Sequence, residues 1–337
     1  MPSKITAKSL QQFHKNLQDW YDTHGRRTLP WRNTNDPYAI YVSEIMLQQT
    51  QVKTVLERYY QPFLKQFPTL KSLAKADEQD VLKAWEGLGY YSRARNLHKA
   101  AKLSAPHLPD TLEALEQLPG IGKNTAHAIA AFAYHQPVPV MEANLKRVLS
   151  RLFAIKTPKD DQLWEHAYRI VNKNNPFDYN QSMMDIGAMI CSKRDPQCEM
   201  CPCANLCEGK SNPTNYPTPI KKKATPIRKR NIVVFTNEDG RYFMEVRTSR
   251  FLGGLYGFTE YESDNIYFMN THYLPANMEY LGAISQTYSH FQLQANVYLQ
   301  IVTNTETSDW YTFDAIKKLP SSKADQKVIR LLEGLQE

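Results

Sequence analysis

Four cysteines, Cys191, Cys198, Cys201 and Cys207, stand with six, two and five residues between them in one short polar stretch. Thiolates this crowded can ligate one metal centre, either a structural zinc or a 4Fe-4S cluster. Zinc sites usually pair their ligands in two tight hairpins, and here only Cys198 and Cys201 are that close. Cys191 ends an apolar, helix-like run, MMDIGAMIC, which suits a cuboidal cluster set against a helix end. Free core thiols fit poorly, because Lys193, Arg194, Asp195 and Pro196 make the intervening segment polar and turn-rich. Disulfides are disfavoured because nothing signals export. Cys203 is left over and is given no part.

Three other stretches carry residue types that do chemistry. LPGIG, Leu118 to Gly122, lies between two helical patterns. Glycines at its corners let backbone N–H groups point outward at the start of the next helix, a site for one phosphate. An isolated P-G-x-G is more often a plain helix–helix turn. GLGYYSRARNLHKAA sets Tyr90 and Tyr91 after a flexible bend, with Arg93, Arg95 and Lys99 on the helix that follows. Rings beside cations are what a protein entering a base stack presents, although paired tyrosines are more often half-buried core. SEIMLQQTQ places Glu44 at the start of an apolar helix, followed by Gln48, Gln49 and Gln51. Taken alone, Glu44 is an acid well placed at a helix N-terminus.

The elements that must position these groups fall into two regions. With 337 residues the chain is long enough for two cores. Residues 5 to about 210 read as almost wholly helical, with apolar spacing of three and four at Leu145, Val148, Leu149 and Leu152. Residues 211–230 are rich in proline and lysine and read as a linker. From residue 231, short β-branched and aromatic runs such as NIVVFT and NVYLQIVT alternate with turns, and a helix closes the chain from Ala324 to Leu335. The expected architecture is therefore a mainly α domain over 1–210, a basic linker over 211–230, and an α+β domain over 231–337. Of the 41 basic residues, six lie in 216–230 with no acid, whereas 231–337 holds eight basic and 13 acidic residues. A basic body with a basic connector points to a polyanionic partner. No leader pattern opens the chain, and its longest apolar stretch, Ala126 to Tyr134, is about half of a membrane span. A cytoplasmic protein without a membrane partner is expected.

In order and spacing, LPWR, SEIMLQQTQ, GLGYYSRARNLHKAA, LPGIGKNTA and the cysteine cluster resemble the helix-hairpin-helix DNA glycosylases, and in detail the MutY-type adenine DNA glycosylase family. The likeness covers about residues 10–210 strongly. TYSHFQLQANVYL and RFLGGLYGF resemble that family's Nudix-like C-terminal domain, which recognises 8-oxoguanine opposite the target adenine. The resemblance implies a monomeric DNA-repair enzyme with a 4Fe-4S cluster. It would bind double-stranded DNA carrying adenine opposite 8-oxoguanine or guanine, flip the adenine out and hydrolyse its glycosidic bond.

Residue by residue, the likeness makes Glu44 the general acid that protonates the purine. Trp31 and Arg32 line the adenine pocket, with Asp185 an acid beside it. Gln48, Gln49 and Tyr90 enter the stack, and Leu118, Gly120, Gly122 and Lys123 form the DNA-binding hairpin. Where the family carries D-G-N, this chain reads Glu142, Ala143, Asn144. Glu142 keeps the anion that stabilises the oxocarbenium ion but is one methylene longer, and Ala143 removes backbone latitude. Bifunctional relatives place a Schiff-base lysine where this chain has Asn124, so a monofunctional hydrolase is expected. Tyr288, Ser289 and His290 match the lesion-reading loop, with Tyr288 replacing a phenylalanine. No R-E-x-x-E-E acids follow Gly253 and Gly254, so this domain recognises and does not hydrolyse. Lys146 and Arg147 are expected to be surface charges. Two rival functions remain: a lesion-binding protein with attenuated catalysis because of Glu142 and Ala143, and an endonuclease III-like bifunctional glycosylase.

Overall fold

The computed structural model describes residues 5–219, 224–249, 251–268, 271–303 and 309–335. Residues 220–223 of the basic stretch and Arg250 lie outside the described residues. The chain forms two compact units, Met1–Ala74 with Lys99–Lys221 and Lys75–His98 with Lys222–Glu337. A segment from within the helical half, Lys75–His98, thus groups with the C-terminal unit. Among the described residues no helix is long and apolar enough to cross a membrane.

In chain order the helices are α1 (Ala7–His24), α2 (Pro37–Leu47), α3 (Val52–Arg58), α4 (Tyr60–Gln66), α5 (Leu70–Lys75), α6 (Glu78–Ala84), α7 (Ser92–Ser104) and α8 (Leu112–Glu116). They continue with α9 (Lys123–Ala133), α10 (Ala143–Leu152), α11 (Asp160–Ile170), α12 (Pro176–Met189), α13 (Phe313–Lys318) and α14 (Lys323–Glu333). Local chemistry sets their ends. Thr6 and Ser9 form a reciprocal capping box on α1, and Asn175 caps α12 ahead of Pro176 at its first position.

In the first unit the apolar stripe of α10, namely Leu145, Val148, Leu149 and Leu152, is buried against Met183 and Ile186 of α12 and Phe13 and Leu17 of α1. The spacing of three and four read from the sequence is that stripe. Gly187 lets α10 and α12 approach closely, since a Cβ there would lie 2.8 Å from the Asn144 Cβ. That contact matters below, because Asn144 belongs to the candidate site.

In the second unit the strands are β1 (Ile227–Asn237), β2 (Tyr242–Phe243), β3 (Glu245–Val246), β4 (Tyr256–Gly257), β5 (Thr259–Tyr261), β6 (Ile266–Phe268), β7 (Thr271–Tyr273), β8 (Glu279–Thr287), β9 (Gln292–Val302) and β10 (Trp310–Tyr311). The main sheet runs β10-β2-β1-β9-β8, with β5 also on β1. β1 and β9 pair in parallel from Ile227↔Gln292 to Asn237↔Val302. The strand therefore begins four residues inside the stretch read as linker, because Ile227–Arg230 finds ladder partners on β9. YFMEVR, read as one strand, is split between β2 and β3, which belong to different sheets.

α14 is fastened by Asp325, whose side chain is fully buried. It accepts from Arg247 at 2.7 and 3.2 Å, from the Phe258 backbone N–H at 3.1 Å and from the Ser322 hydroxyl at 2.6 Å. Removing one member of such a pair strands the other charge. Asp325→Ala is expected to lower unfolding free energy by about 3 kcal/mol, read by denaturant titration of the full chain.

Candidate active site

Asp185 is the organising anion of the first unit. It projects from α12, is 0% exposed, and accepts four hydrogen bonds. Arg32 donates to it twice, at 2.7 and 2.9 Å. Arg26 donates its backbone N–H at 2.8 Å and its Nε at 2.7 Å. Burial alone would raise the Asp185 carboxyl, but the Arg32 and Arg26 contacts outweigh it and hold the carboxyl below its usual value. Both its oxygens are committed to arginines. Its task is to hold Arg32, which is 9% exposed and keeps one buried donor, Nε, without a partner. Trp31, next in the chain, is buried edge-on against Tyr60 at 5.2 Å.

Glu44 lies late in α2, eighth of its eleven residues, not at a helix start. Burial first, and then the charge of Glu142, push its carboxyl up to about 7, with Arg32 acting the other way. Glu142 precedes α10 and receives a hydrogen bond from Asn144 Nδ2 at 3.3 Å. Burial raises its carboxyl too, but Asn144, Arg26, Arg147 and Arg32 all oppose that rise. Glu142 therefore ionises first, and Glu44 keeps its proton beside that charge. Ala143 is the first residue of α10 and is absent from the positive-φ residues, so the alanine imposes no backbone strain.

Arg147 is not a surface charge. It donates to Asn144 Oδ1 at 2.9 Å, to the Gly187 carbonyl at 2.6 Å and to the Cys191 carbonyl at 2.9 Å. A hydrogen-bonded chain thus runs from Glu142 through Asn144 and Arg147 to the first cysteine. Lys146 is the surface residue of the two, paired with Asp160.

Asn124 Oδ1 accepts the Met141 backbone N–H at 2.7 Å, tying α9 to the segment that delivers Glu142. The hairpin before α9 turns at Gly120, with φ of +79°, and Gly122 caps the helix with open space where a Cβ would stand. The first backbone N–H groups of α9 have no partner within the helix. Leu118 is half-buried, while Gly120, Gly122 and Lys123 are exposed. The Lys123 ammonium rests over the Trp164 ring at 4.4 Å. Gln48 bonds Thr125 at 3.2 Å, whereas Gln49 is exposed on strained backbone with φ of +56°.

Cys191, Cys198, Cys201 and Cys207 border one small apolar cavity of about 20 Å³ with Ile190, Ala204, Arg151 and Lys210. Among the described residues no three His, Cys, Asp or Glu side chains converge on a single ion. Four thiols around a cavity fit a cluster that takes one ligand at each iron corner. A cluster on these thiolates would be anionic, and Arg151 is placed to compensate it, donating to Cys191 Sγ at 3.2 Å and to the Ser192 carbonyl at 2.6 Å. Cys203 is buried in the hydrophobic core.

The second unit holds a different constellation. Gly87–Ser92 and Arg95 border one cavity of about 300 Å³ with Phe251, Leu252, Gln286–His290, Ser322 and Lys323. The paired tyrosines divide: Tyr91 is buried and bonds the Ser321 carbonyl at 3.2 Å, whereas Tyr90 is 42% exposed beneath the Arg93 guanidinium. Ser289 and His290 are exposed, and Tyr288 is half-buried.

Residues 42–173 match the HhH-GPD superfamily of base excision DNA repair proteins, and residues 231–331 match the NUDIX domain. Among solved structures, a thermostable thymine-DNA glycosylase is 29% identical with a TM-score of 0.56, covering 60% of this chain and 97% of that one. A trapped endonuclease III–DNA covalent intermediate shares the fold at a TM-score of 0.53 and 17% identity, covering 61% of this chain and 98% of that one. These define a base-excision glycosylase fold joined to a Nudix domain.

Adenine DNA glycosylases give the sequence matches. The protein from Buchnera aphidicola (Schizaphis graminum) is 35% identical over 71% of both chains. That from Buchnera aphidicola (Baizongia pistaciae) is 38% identical over 64% of this chain and 63% of its own, and the human protein 41% identical over 59% and 39%. The chain belongs to the adenine DNA glycosylase family. The match spans less than two thirds of the Baizongia and human relatives.

Sequence reasoning missed Arg26 and Arg151. Gln181 lies one helical turn before Asp185 on α12, is 3% exposed, and its Oε1 has no partner.

Two outcomes follow. Between pH 4.5 and about 7 the fold holds a proton on Glu44 that the unfolded chain releases, so stability falls as pH rises through that window. Glu44→Gln should therefore raise Tm more at pH 8 than at pH 5. Cys198→Ser should lose bound iron and visible absorption, whereas Cys203→Ala should keep about four irons per chain.

Proposed function

We propose that this chain is a monofunctional adenine DNA glycosylase acting on duplex DNA in which adenine lies opposite 8-oxoguanine. The observation that carries this is the unequal carboxylate pair. Glu44 is held up to about 7 while Glu142 faces Arg26, Arg32, Arg147 and Asn144. A protonated acid beside a fixed anion is what glycosidic bond cleavage needs.

The flipped adenine would enter beside Trp31 and Arg32. Glu44 gives its proton to the purine ring nitrogen, and the bond from the sugar breaks with its electron pair passing to the base. Glu142 faces the positive charge that forms on the sugar, with Asn144 holding its carboxylate. Water then adds to the sugar carbon and loses a proton. Asn124 supports the hydrolytic outcome, since an amide bonded to the Met141 N–H cannot form an imine. The exposed α9 N-terminus would take one backbone phosphate, with Gln49 and Tyr90 entering the stack. A 4Fe-4S cluster on the four cysteines would supply structure, fixing the loop through Arg151 and Cys191. Tyr288, Ser289 and His290 would read 8-oxoguanine.

Single-turnover excision on an adenine–8-oxoguanine duplex tests this. Free adenine and an intact abasic strand are expected, with no borohydride-trapped adduct. Glu142→Gln should slow release at least about a hundredfold, with duplex binding retained. Wild-type binding without released adenine would instead favour a lesion-binding protein.

A further inference from the structure

We propose that Phe251 is the ring on which the base opposite the target adenine stacks, with Tyr288 as its support. This rests on the lesion-reading role given above to the second unit.

The three aromatic neighbours of Phe251 fix its plane without covering it. Tyr288 meets it at 5.1 Å and 85°, His290 at 5.0 Å and 89°, and Phe291 at 5.4 Å and 62°. Phe251 is nonetheless 37% exposed and lines the cavity that Ser289 and His290 also border. Tyr288 is placed differently. It packs against the hydrophobic core of the second unit, and its hydroxyl engages Ser322, the cap of α14. Leaving that place to enter a base stack would forfeit both contacts.

The loop that presents Phe251 is held in a conformation of its own. Leu252 has φ of +57° and Gly254 φ of +82°. The Ser249 hydroxyl bonds the Phe251 carbonyl at 2.7 Å, and Arg95 donates to the Gly253 carbonyl. Leucine at positive φ is strained backbone that persists only where surrounding contacts hold it. Arg95 and Lys323 on the cavity wall supply cations for the flanking phosphates. The volume of about 300 Å³ suits one flat base.

Stacking serves any base, so the ring sets affinity while the hydrogen-bonding groups of Ser289 and His290 set the choice of base. The test is equilibrium binding of the full chain to duplexes carrying 8-oxoguanine or guanine opposite 2′-fluoro-deoxyadenosine, which resists cleavage. Phe251→Leu, which keeps an apolar side chain but no ring, is expected to weaken both complexes about ten- to a hundredfold, with Tm unchanged. Phe251→Trp should restore binding. Tyr267→Leu, which removes a 63% exposed ring outside the cavity, should leave binding unchanged. A fluorescent guanine analogue in the lesion position should be quenched by wild type and not by Phe251→Leu. If wild type discriminates 8-oxoguanine but Phe251→Leu binds within twofold and quenches equally, this inference is overturned while the functional reading stands. If wild type shows no preference for 8-oxoguanine, the lesion-reading role itself fails.

Discussion

Two half-buried carboxylates whose charges reach one another resist ionising together, and the surroundings decide which gives way. Here the decision is made by three arginines and one asparagine gathered on the side of Glu142. Asp185 makes that gathering possible. A buried anion with four donors fixes Arg26 and Arg32, and their remaining positive field reaches Glu142. Glu44, on α2, is left with burial and a neighbouring negative charge that outweigh Arg32.

The scaffold serves this arrangement through backbone contacts more than through charge. Gly187 admits Asn144 against α12, Asn124 holds the Met141 N–H, and Arg147 spans from Asn144 to the Cys191 carbonyl. The cysteine loop is thus joined to the carboxylates by a continuous hydrogen-bonded path. A shift of the loop at Cys191 would be felt by Glu142 through two side chains. The longer glutamate arm fits because its carboxylate has its own partner in Asn144, and Ala143 sits where ordinary helical backbone suffices.

Much of this was legible before the fold was known. The cysteine spacing, the hairpin glycines and the apolar stripe of α10 are local patterns, and local patterns survive in sequence. What could not be read depends on distant partners. Asp185 and Arg32 lie 153 residues apart, so nothing local distinguishes a catalytic acid from a clamp. Arg147 looked like a surface charge because its acceptors are carbonyls on another helix and a loop. Glu44 was placed at a helix start because Pro37, the true first residue of α2, lies in a turn-like context, N-D-P. The start of β1 was hidden in a lysine-rich stretch because ladder hydrogen bonds are indifferent to side-chain charge. Phe251 was legible only as part of RFLGGLYGF: four rings from two chain segments meet only in the fold.

The most direct measurement of the account is the carbon-13 carboxyl shift of Glu44 and Glu142, followed across pH in selectively labelled protein. The account predicts that Glu142 loses its proton first and that Glu44 titrates near pH 7. Replacing Glu142 by glutamine should then bring the Glu44 midpoint down, because the neighbouring negative charge is gone. A Glu44 carboxyl already ionised at pH 5, or one indifferent to the loss of Glu142, would contradict it.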